Sequence, residues 1–233
     1  MSAAPAIELA LIGGTGLYAF DGLEVDERVR PSTPYGDVSG EIALGRYAGR
    51  RVAFLARHGA GHTLAPHRIN YRANVHALHA LGVRRAVAVN AVGGITPAMA
   101  PRAICVPHQL IDYTHGRESS FCDADGAEVR HIDFSDPYSA SLSNALVAAA
   151  LRGGIEVVPR GVYGATQGPR LETVAEIARM ARDGCDLVGM TGMPEAALAR
   201  EIDLEYAAIA VVANYGAGRG DSEHAVALDR IEA

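Results

Sequence analysis

The residues best suited to chemistry in this chain stand at the ends of apolar runs. "LARHG" (55–59) closes one such run with Arg57 and His58, and "AVAVNAVGG" (86–94) closes another with Asn90, Ala91 and a glycine pair. "GVYGATQGPRLETVAE" (161–176) delivers Glu172 where a helical pattern begins, and "LVGMTGMPEAALARE" (187–201) does the same with Met190 and Thr191. "AIAVVANYGAG" (208–218) ends in Asn214, a polar amide after a buried-looking strand. The first run, "IELALIGGTGL" (7–17), opens into glycines with Thr15 among them. Glycines let backbone N–H groups approach an anion. A guanidinium fork matches phosphate oxygens, and a hydroxyl with free amides at a helix start favours an anion. Glu172 adds an acceptor, and Asn214 adds a donor and an acceptor. Left unpaired in a buried place, the Asn214 amide would cost about 1–3 kcal/mol, so it awaits a partner.

Each residue also has a plain structural reading. Arg57 is equally a salt-bridge partner, Glu172 a charge complementing a helix N-terminus, and Met190 a core side chain. "GGTGL" is equally a tight turn. What separates these readings is convergence, because functional groups in open α/β sheets gather at the carboxyl ends of strands. Strand-like runs are expected at 7–14, 52–59, 86–94, 104–114, 161–169, 186–190 and 206–215, many continuously apolar as in a sheet covered on both faces. Helical patterns lie between them at 70–82, 139–154, 171–184 and 194–203, the last opened by Pro194. The alternation predicts an α/β fold in a single domain spanning 1–233. Segment 115–138 is the longest irregular, polar stretch and reads as an exposed excursion at a subunit contact. "SEHAVALDRIEA" (222–233) reads as a helix with no cap at Ala233, so further turns are expected beyond it.

Two rival chemistries fit poorly. Gly14, Gly16 and Ala19 satisfy a dinucleotide fingerprint, but no sustained helical period follows. Glycines lie between His58 and His62, and no carboxylate accompanies these two and His67, which argues against a metal site. The three cysteines lack CxxC spacing, so neither zinc nor a disulfide framework is expected, and a reducing cytoplasm is. A net charge of −6 disfavours nucleic acid as a partner, and no apolar run reaches membrane-span length.

The order and combination of "GGTGL", "ARHG", "NYRANV", "NAVGG", "TQGPRLETVAE" and "GMTGMPEAALARE" are highly specific. Over essentially its whole length the sequence resembles the trimeric purine nucleoside phosphorylase and methylthioadenosine phosphorylase family, most nearly the 5′-methylthioinosine phosphorylases. The resemblance implies a twisted, partly barrel-like mixed β-sheet flanked by helices. It implies no metal or organic cofactor, with inorganic phosphate as co-substrate and a homotrimer with active sites near subunit interfaces. Phosphate is then expected between Thr15, Arg57, His58, Thr191 and the backbone at Ala91, and Met190 is expected beneath the ribose. His131 matches a residue reaching the neighbouring subunit's 5′ pocket, and Glu172 and Asn214 face the base. Asn214, Glu172 and His58 carry the catalytic roles.

Adenine-specific relatives carry Asp at the place of Asn214 and lack the glutamate, so a 6-oxopurine is expected here. Leu228, with Ile231, is expected to face the 5′ group and to favour methylthio over hydroxyl, although His224 nearby could restore a 5′-hydroxyl site. The expected reaction is 5′-methylthioinosine plus phosphate giving hypoxanthine and 5-methylthioribose 1-phosphate. The alternatives are an inosine/guanosine phosphorylase, a methylthioadenosine phosphorylase and, from another class, a non-catalytic nucleoside-binding protein.

Overall fold

A computed structural model describes residues 7–123 and 128–222. In chain order its elements are β1 (Leu9–Gly13), β2 (Glu24–Val29), β3 (Ile42–Tyr47), β4 (Arg50–Ala56), α1 (Tyr71–Ala80) and β5 (Arg85–Gly94). They continue as β6 (Ile104–Cys105), β7 (Gln109–Asp112), α2 (Ala140–Arg152), β8 (Val162–Ala165), α3 (Val174–Arg182), β9 (Leu187–Gly189), α4 (Gly192–Glu201) and β10 (Glu205–Tyr215). The strands form one ten-stranded mixed sheet ordered β2-β3-β4-β1-β5-β9-β8-β7, with β10 also on β5 and β6 on β10.

The long strand β5 organises the site. β10 runs parallel to it from Arg85 to Gly94 and takes one edge. The opposite edge is shared. β1 pairs in parallel with Ala86–Ala88, and β9 pairs antiparallel with Gly93–Gly94. Between these stretches no described strand pairs with that edge of β5, and β1 and β9 part there. Only residues 106–108 separate β6 from β7, so the path β5–β10–β6–β7–β8–β9 leads back to β5. That closure is the partly barrel-like sheet the resemblance implied.

Small side chains make this possible. Ala86, Ala88, Ala207, Ala208 and Ala210 are completely buried, which lets helices sit close on both faces of β5 and β10. Ile12, Leu55, Leu78, Tyr163 and Leu198 fill the space between the layers.

Three local expectations change, and the start of α4 at Pro194 holds. The run 104–114 is two strands, because Pro107 has no N–H to continue a ladder. β2 and β3 form an antiparallel ribbon that the apolar pattern did not reveal, since β2 is almost wholly exposed and mostly charged. α3 starts later than expected. Thr173 is its N-cap, closing a capping box with Glu176, so Glu172 lies outside the helix and Glu176 supplies the first-turn acid. Met193 is extended (φ −120°, ψ 142°), and regular helical geometry in α4 begins at Pro194.

The described part of 115–138 contains no helix or strand. It is tied back to the body, with the Phe121 N–H bonded to Glu201 and Arg130 to the Glu201 carbonyl. The expected helix over 222–233, with Leu228, Ile231 and His224, lies outside the described residues except for Ser222, which closes a short 3-10 turn.

Candidate active site

A cavity of about 250 Å³ occupies the gap where β1 and β9 leave β5. Gly14 and Thr15 approach from β1, Arg57 and His58 from β4, Asn90 and Ala91 from β5, and Met190 and Thr191 from β9. Asn214, which pairs with Gly93, stands further along β5 than Asn90, and Glu172 completes the lining. Among the described residues, all the candidates expected to meet phosphate, ribose or base therefore line one cavity, except His131; Leu228 lies outside the described residues. His131 is exposed on this chain and absent from the lining.

Close backbone approach explains the glycine at β1's exit. A Cβ on Gly14 would stand 2.4 Å from the Val89 carbonyl oxygen and 3.1 Å from the Arg57 guanidinium. Gly16 takes a left-handed φ of +82° to complete the turn.

Arg57 fulfils both of its possible readings. It is completely buried, and its Nε and Nη2 donate to Glu195 at 2.7 and 3.1 Å. Nη2 also donates to Asn90 Oδ1 at 3.0 Å, while Nη1 reaches Thr191 Oγ1 at 3.3 Å and the Val89 carbonyl at 3.4 Å. Glu195 is itself buried and accepts a further 2.7 Å bond from the Tyr206 hydroxyl. Burial alone would lower the arginine's pKa, but the Glu195 charge and hydrogen bonds outweigh it and hold it above its ordinary value. The guanidinium is thus held and charged, and all five of its N–H groups have protein partners; the two on Nη1 have the longest bonds, at 3.3 and 3.4 Å, which makes Nη1 the corner an anion can most readily take over.

Two further donors stand beside it. Asn90 is buried and its Nδ2 has no protein partner, while its oxygen is spent on Arg57. Thr191 is the N-cap of α4 but makes no capping bond. Its hydroxyl accepts from Arg57 and lies against the Tyr163 hydroxyl, within the cavity lining. The helix start is less open than expected, because the Thr191 N–H already donates to the Tyr163 hydroxyl at 3.4 Å.

His58 is held differently. Its Nδ1 lies 2.8 Å from the Leu64 carbonyl, an acceptor only, so Nδ1 carries the proton. Burial first, and then Arg57 and His62, bring its pKa down to about 4 against the raising effect of that bond. At neutral pH it is an uncharged ring whose Nε2 lone pair is the free nitrogen. His62 stacks on it at 4.3 Å.

At the other end, one extra residue in β10 sets the geometry. Val212 pairs with Val92 but Asn214 with Gly93, so Ala213 is bulged out of the ladder. A bulge changes the face on which the next side chain lies, and Asn214 enters the cavity with 7% of its surface exposed. Its Nδ2 donates to the Tyr215 carbonyl at 2.7 Å, which fixes which way the amide points. A second amide hydrogen and Oδ1 remain for a ligand. Glu172 accepts a 2.6 Å bond from the Thr166 hydroxyl. The cavity therefore has a cationic, donor-rich end suited to an anion and an end with a carboxylate and an amide suited to a polar heterocycle.

Glu195, Tyr206 and Thr166 were not apparent in the sequence. One signal for Glu195 existed: it is the lone charge in "MPEAALA", a stretch otherwise small and apolar.

A protein of Xanthomonas campestris named probable S-methyl-5′-thioinosine phosphorylase is 58% identical over 218 residues, covering 94% of this chain and 87% of its own. A Pseudomonas syringae protein of the same name is 60% identical over 210 residues, covering 90% and 85%. The crystal structure of Schistosoma mansoni methylthioadenosine phosphorylase with adenine superposes with a TM-score of 0.92 at 29% identity, covering 97% of this chain and 84% of that one. The family model described as the phosphorylase superfamily matches residues 8–232, so this chain belongs to the phosphorylase superfamily.

Proposed function

We infer that the chain catalyses phosphorolysis of a 6-oxopurine nucleoside, with 5′-methylthioinosine as its substrate and hypoxanthine and 5-methylthioribose 1-phosphate as products. One observation carries this reading: Arg57, with the donors around it, and the pair Glu172 and Asn214 all line one small cavity. The names of the relatives at 58–60% identity support the choice of nucleoside.

The chemistry follows from the residues. Phosphate binds against Arg57 Nη1, Asn90 Nδ2, the Thr191 and Thr15 hydroxyls and the backbone at Ala91. His58, being neutral, accepts from a phosphate O–H through Nε2. A phosphate oxygen attacks C1′ as the C1′–N9 bond breaks through an oxocarbenium-like state. The bonding pair leaves with the purine, whose N7 and O6 gain negative charge. The free amide hydrogen of Asn214 meets that charge, which favours the transition state over the bound substrate. Glu172 accepts from N1–H, a donor that adenine lacks. Met190 underlies the ribose, and no metal or organic cofactor is needed.

Among the described residues no helix is long and apolar enough to cross a membrane. The working assembly is a cytoplasmic homotrimer in which His131, exposed on one chain, completes the 5′ pocket of the next. Chains carrying Arg57→Ala and chains carrying His131→Ala, each inactive, then regain activity on subunit exchange, and an active monomer in sedimentation overturns the assembly. The reading as a whole is tested by release of free base from methylthioinosine, inosine and methylthioadenosine, each with and without phosphate. Release from methylthioinosine that requires phosphate is expected. Binding without phosphate-dependent release makes the protein a nucleoside binder, and preferred release of adenine reverses the reading of the base end.

A further inference from the structure

We propose that Thr166 is a positioning residue for base selection. Acting through Glu172, it sets the site to take an unsubstituted 6-oxopurine ahead of both a 6-aminopurine and a 2-amino-6-oxopurine. This rests on the phosphorolysis reading above.

Thr166 directly follows β8, and its N–H donates to the Gly189 carbonyl at 2.8 Å. It does not line the substrate cavity. It lines a second, more polar cavity of about 730 Å³, together with Asp112, Arg170 and Arg179. Glu172 lines both cavities and is the wall between them. Thr166 therefore stands behind the carboxylate, on the side away from the substrate.

A threonine hydroxyl has one proton to give. Glu172 Oε1 lies 2.6 Å away and the Gly189 carbonyl 3.3 Å, so the proton goes to the carboxylate. A bond of that length from a hydroxyl to a carboxylate oxygen is of the charge-assisted kind. An ionised Glu172 only accepts. It welcomes the N1–H of a 6-oxopurine and opposes the bare N1 lone pair of a 6-aminopurine. Threonine is also stiff about χ1, and its backbone is tied at Gly189, so the hydroxyl holds its aim.

The same bond divides the two carboxylate oxygens. Oε1 is taken by Thr166, and Oε2 has no protein donor among the described residues. One held oxygen and one offered oxygen suit a base edge with a single donor. A 2-amino-6-oxopurine presents N1–H and N2–H side by side and asks for both oxygens, so it competes with the Thr166 hydroxyl.

The test compares wild type, Thr166→Val, which keeps the shape without the donor, and Thr166→Ser, which restores it. kcat/KM is measured with phosphate for 5′-methylthioinosine, 5′-methylthioadenosine and 5′-methylthioguanosine. Equilibrium dialysis of hypoxanthine, adenine and guanine runs in parallel. In Thr166→Val the methylthioinosine-to-methylthioadenosine ratio should fall at least about fivefold, and the methylthioguanosine-to-methylthioinosine ratio should rise at least about fivefold. Thr166→Ser should return both ratios to within about twofold of wild type. A uniform loss on all three nucleosides, or a serine variant that behaves like valine, overturns the proposal, because a purely structural residue lowers activity without moving ratios. If wild type binds bases but releases none with phosphate, the phosphorolysis reading falls, and the dialysis ratios still decide the role of Thr166.

Discussion

At the Arg57 end of the cavity, the groups facing the ligand are held by partners far away in the chain; at the Glu172 end, they are held by near neighbours. Arg57 is bonded to Glu195 across 138 residues, to Thr191 across 134 and to Asn90 across 33. Glu172 is held by Thr166, six residues away, and Asn214 by the adjoining Tyr215. The difference teaches where change is tolerated. The anion end is part of the core, and disturbing it disturbs the fold. The base end hangs on a β-bulge and a pre-helical loop, whose residues can vary while β5, β9 and β10 stay in place. One chain can thus keep a fixed nucleophile site and readjust which purine it accepts.

The sharpest way to break this comparison is to remove one half of the buried pair. Glu195→Ala leaves the Arg57 charge uncompensated in a dry site, and the expected loss is about 3–5 kcal/mol of stability in urea unfolding. The double variant Arg57→Met, Glu195→Met should be more stable than Glu195→Ala, since no lone charge remains buried, yet it should have no measurable phosphorolysis. If the double variant is the less stable, Arg57 and Glu195 do not act as a compensated pair. Arg57→Lys keeps the charge but loses the fork, and it should raise the phosphate KM or lower kcat by at least about tenfold, since a charge-assisted contact is worth about 1.5–3 kcal/mol. Unchanged phosphate kinetics would remove Arg57 from the anion site.

The corresponding change at the other end should alter selectivity and disturb the fold less. Asn214→Asp places a second acid near O6, where its ionised form repels the oxo group and accepts from a 6-amino group. The methylthioadenosine-to-methylthioinosine ratio of kcat/KM should rise at least about tenfold, or ~1.4 kcal/mol, and losing the Nδ2 bond to the Tyr215 carbonyl should cost about 1–3 kcal/mol of stability, less than Glu195→Ala. Glu172 still opposes adenine, so the absolute rate stays low and the ratio is the quantity to read. An unchanged ratio in a folded protein would mean that Asn214 does not touch the base. A loss of stability as large as that of Glu195→Ala would mean that the base end is as deeply built as the anion end.

Much of this architecture was legible in the sequence because it is written locally. The continuous apolar runs of β1, β5 and β10 announced buried strands, and the polar residues at their ends were conspicuous by contrast. Asn214 was legible for that reason, and the structure adds only the bulge that aims it. Arg57 was half legible. Its place after β4 was plain, but its partner Glu195 is distant, and nothing in one sequence ties the two together. Glu172 looked like a first-turn helix charge because Thr173 and Glu176 can cap the helix only if it starts later, and either register satisfies the apolar pattern. The ribbon β2–β3 was illegible because it faces solvent, where no hydrophobic period is required.

A gentler probe of the same contrast is pH, through His58. Burial holds its pKa near 4 in the folded chain, against 6.5 for the free side chain. Above about pH 6.5 the ring is neutral in both folded and unfolded chains, and the full contribution to stability is present. As pH falls from about 6.5 towards about 4, the unfolded chain takes up a proton that the folded chain refuses. The unfolded state then binds more protons, so stability declines through that window and levels off below it. Glu176 is depressed to about 2 by Arg170, so its own loss falls mainly at lower pH. His58→Gln removes the titrating ring, and although it lowers stability at every pH by losing the Leu64 bond, it should flatten the slope between pH 7.5 and pH 5. The measurement is the urea midpoint of wild type and variant at those two values. A wild-type midpoint that drops further than the variant's shows His58 buried and neutral beside Arg57. Parallel drops would mean that His58 reaches solvent freely and that the anion end, at this residue, is no more enclosed than the base end.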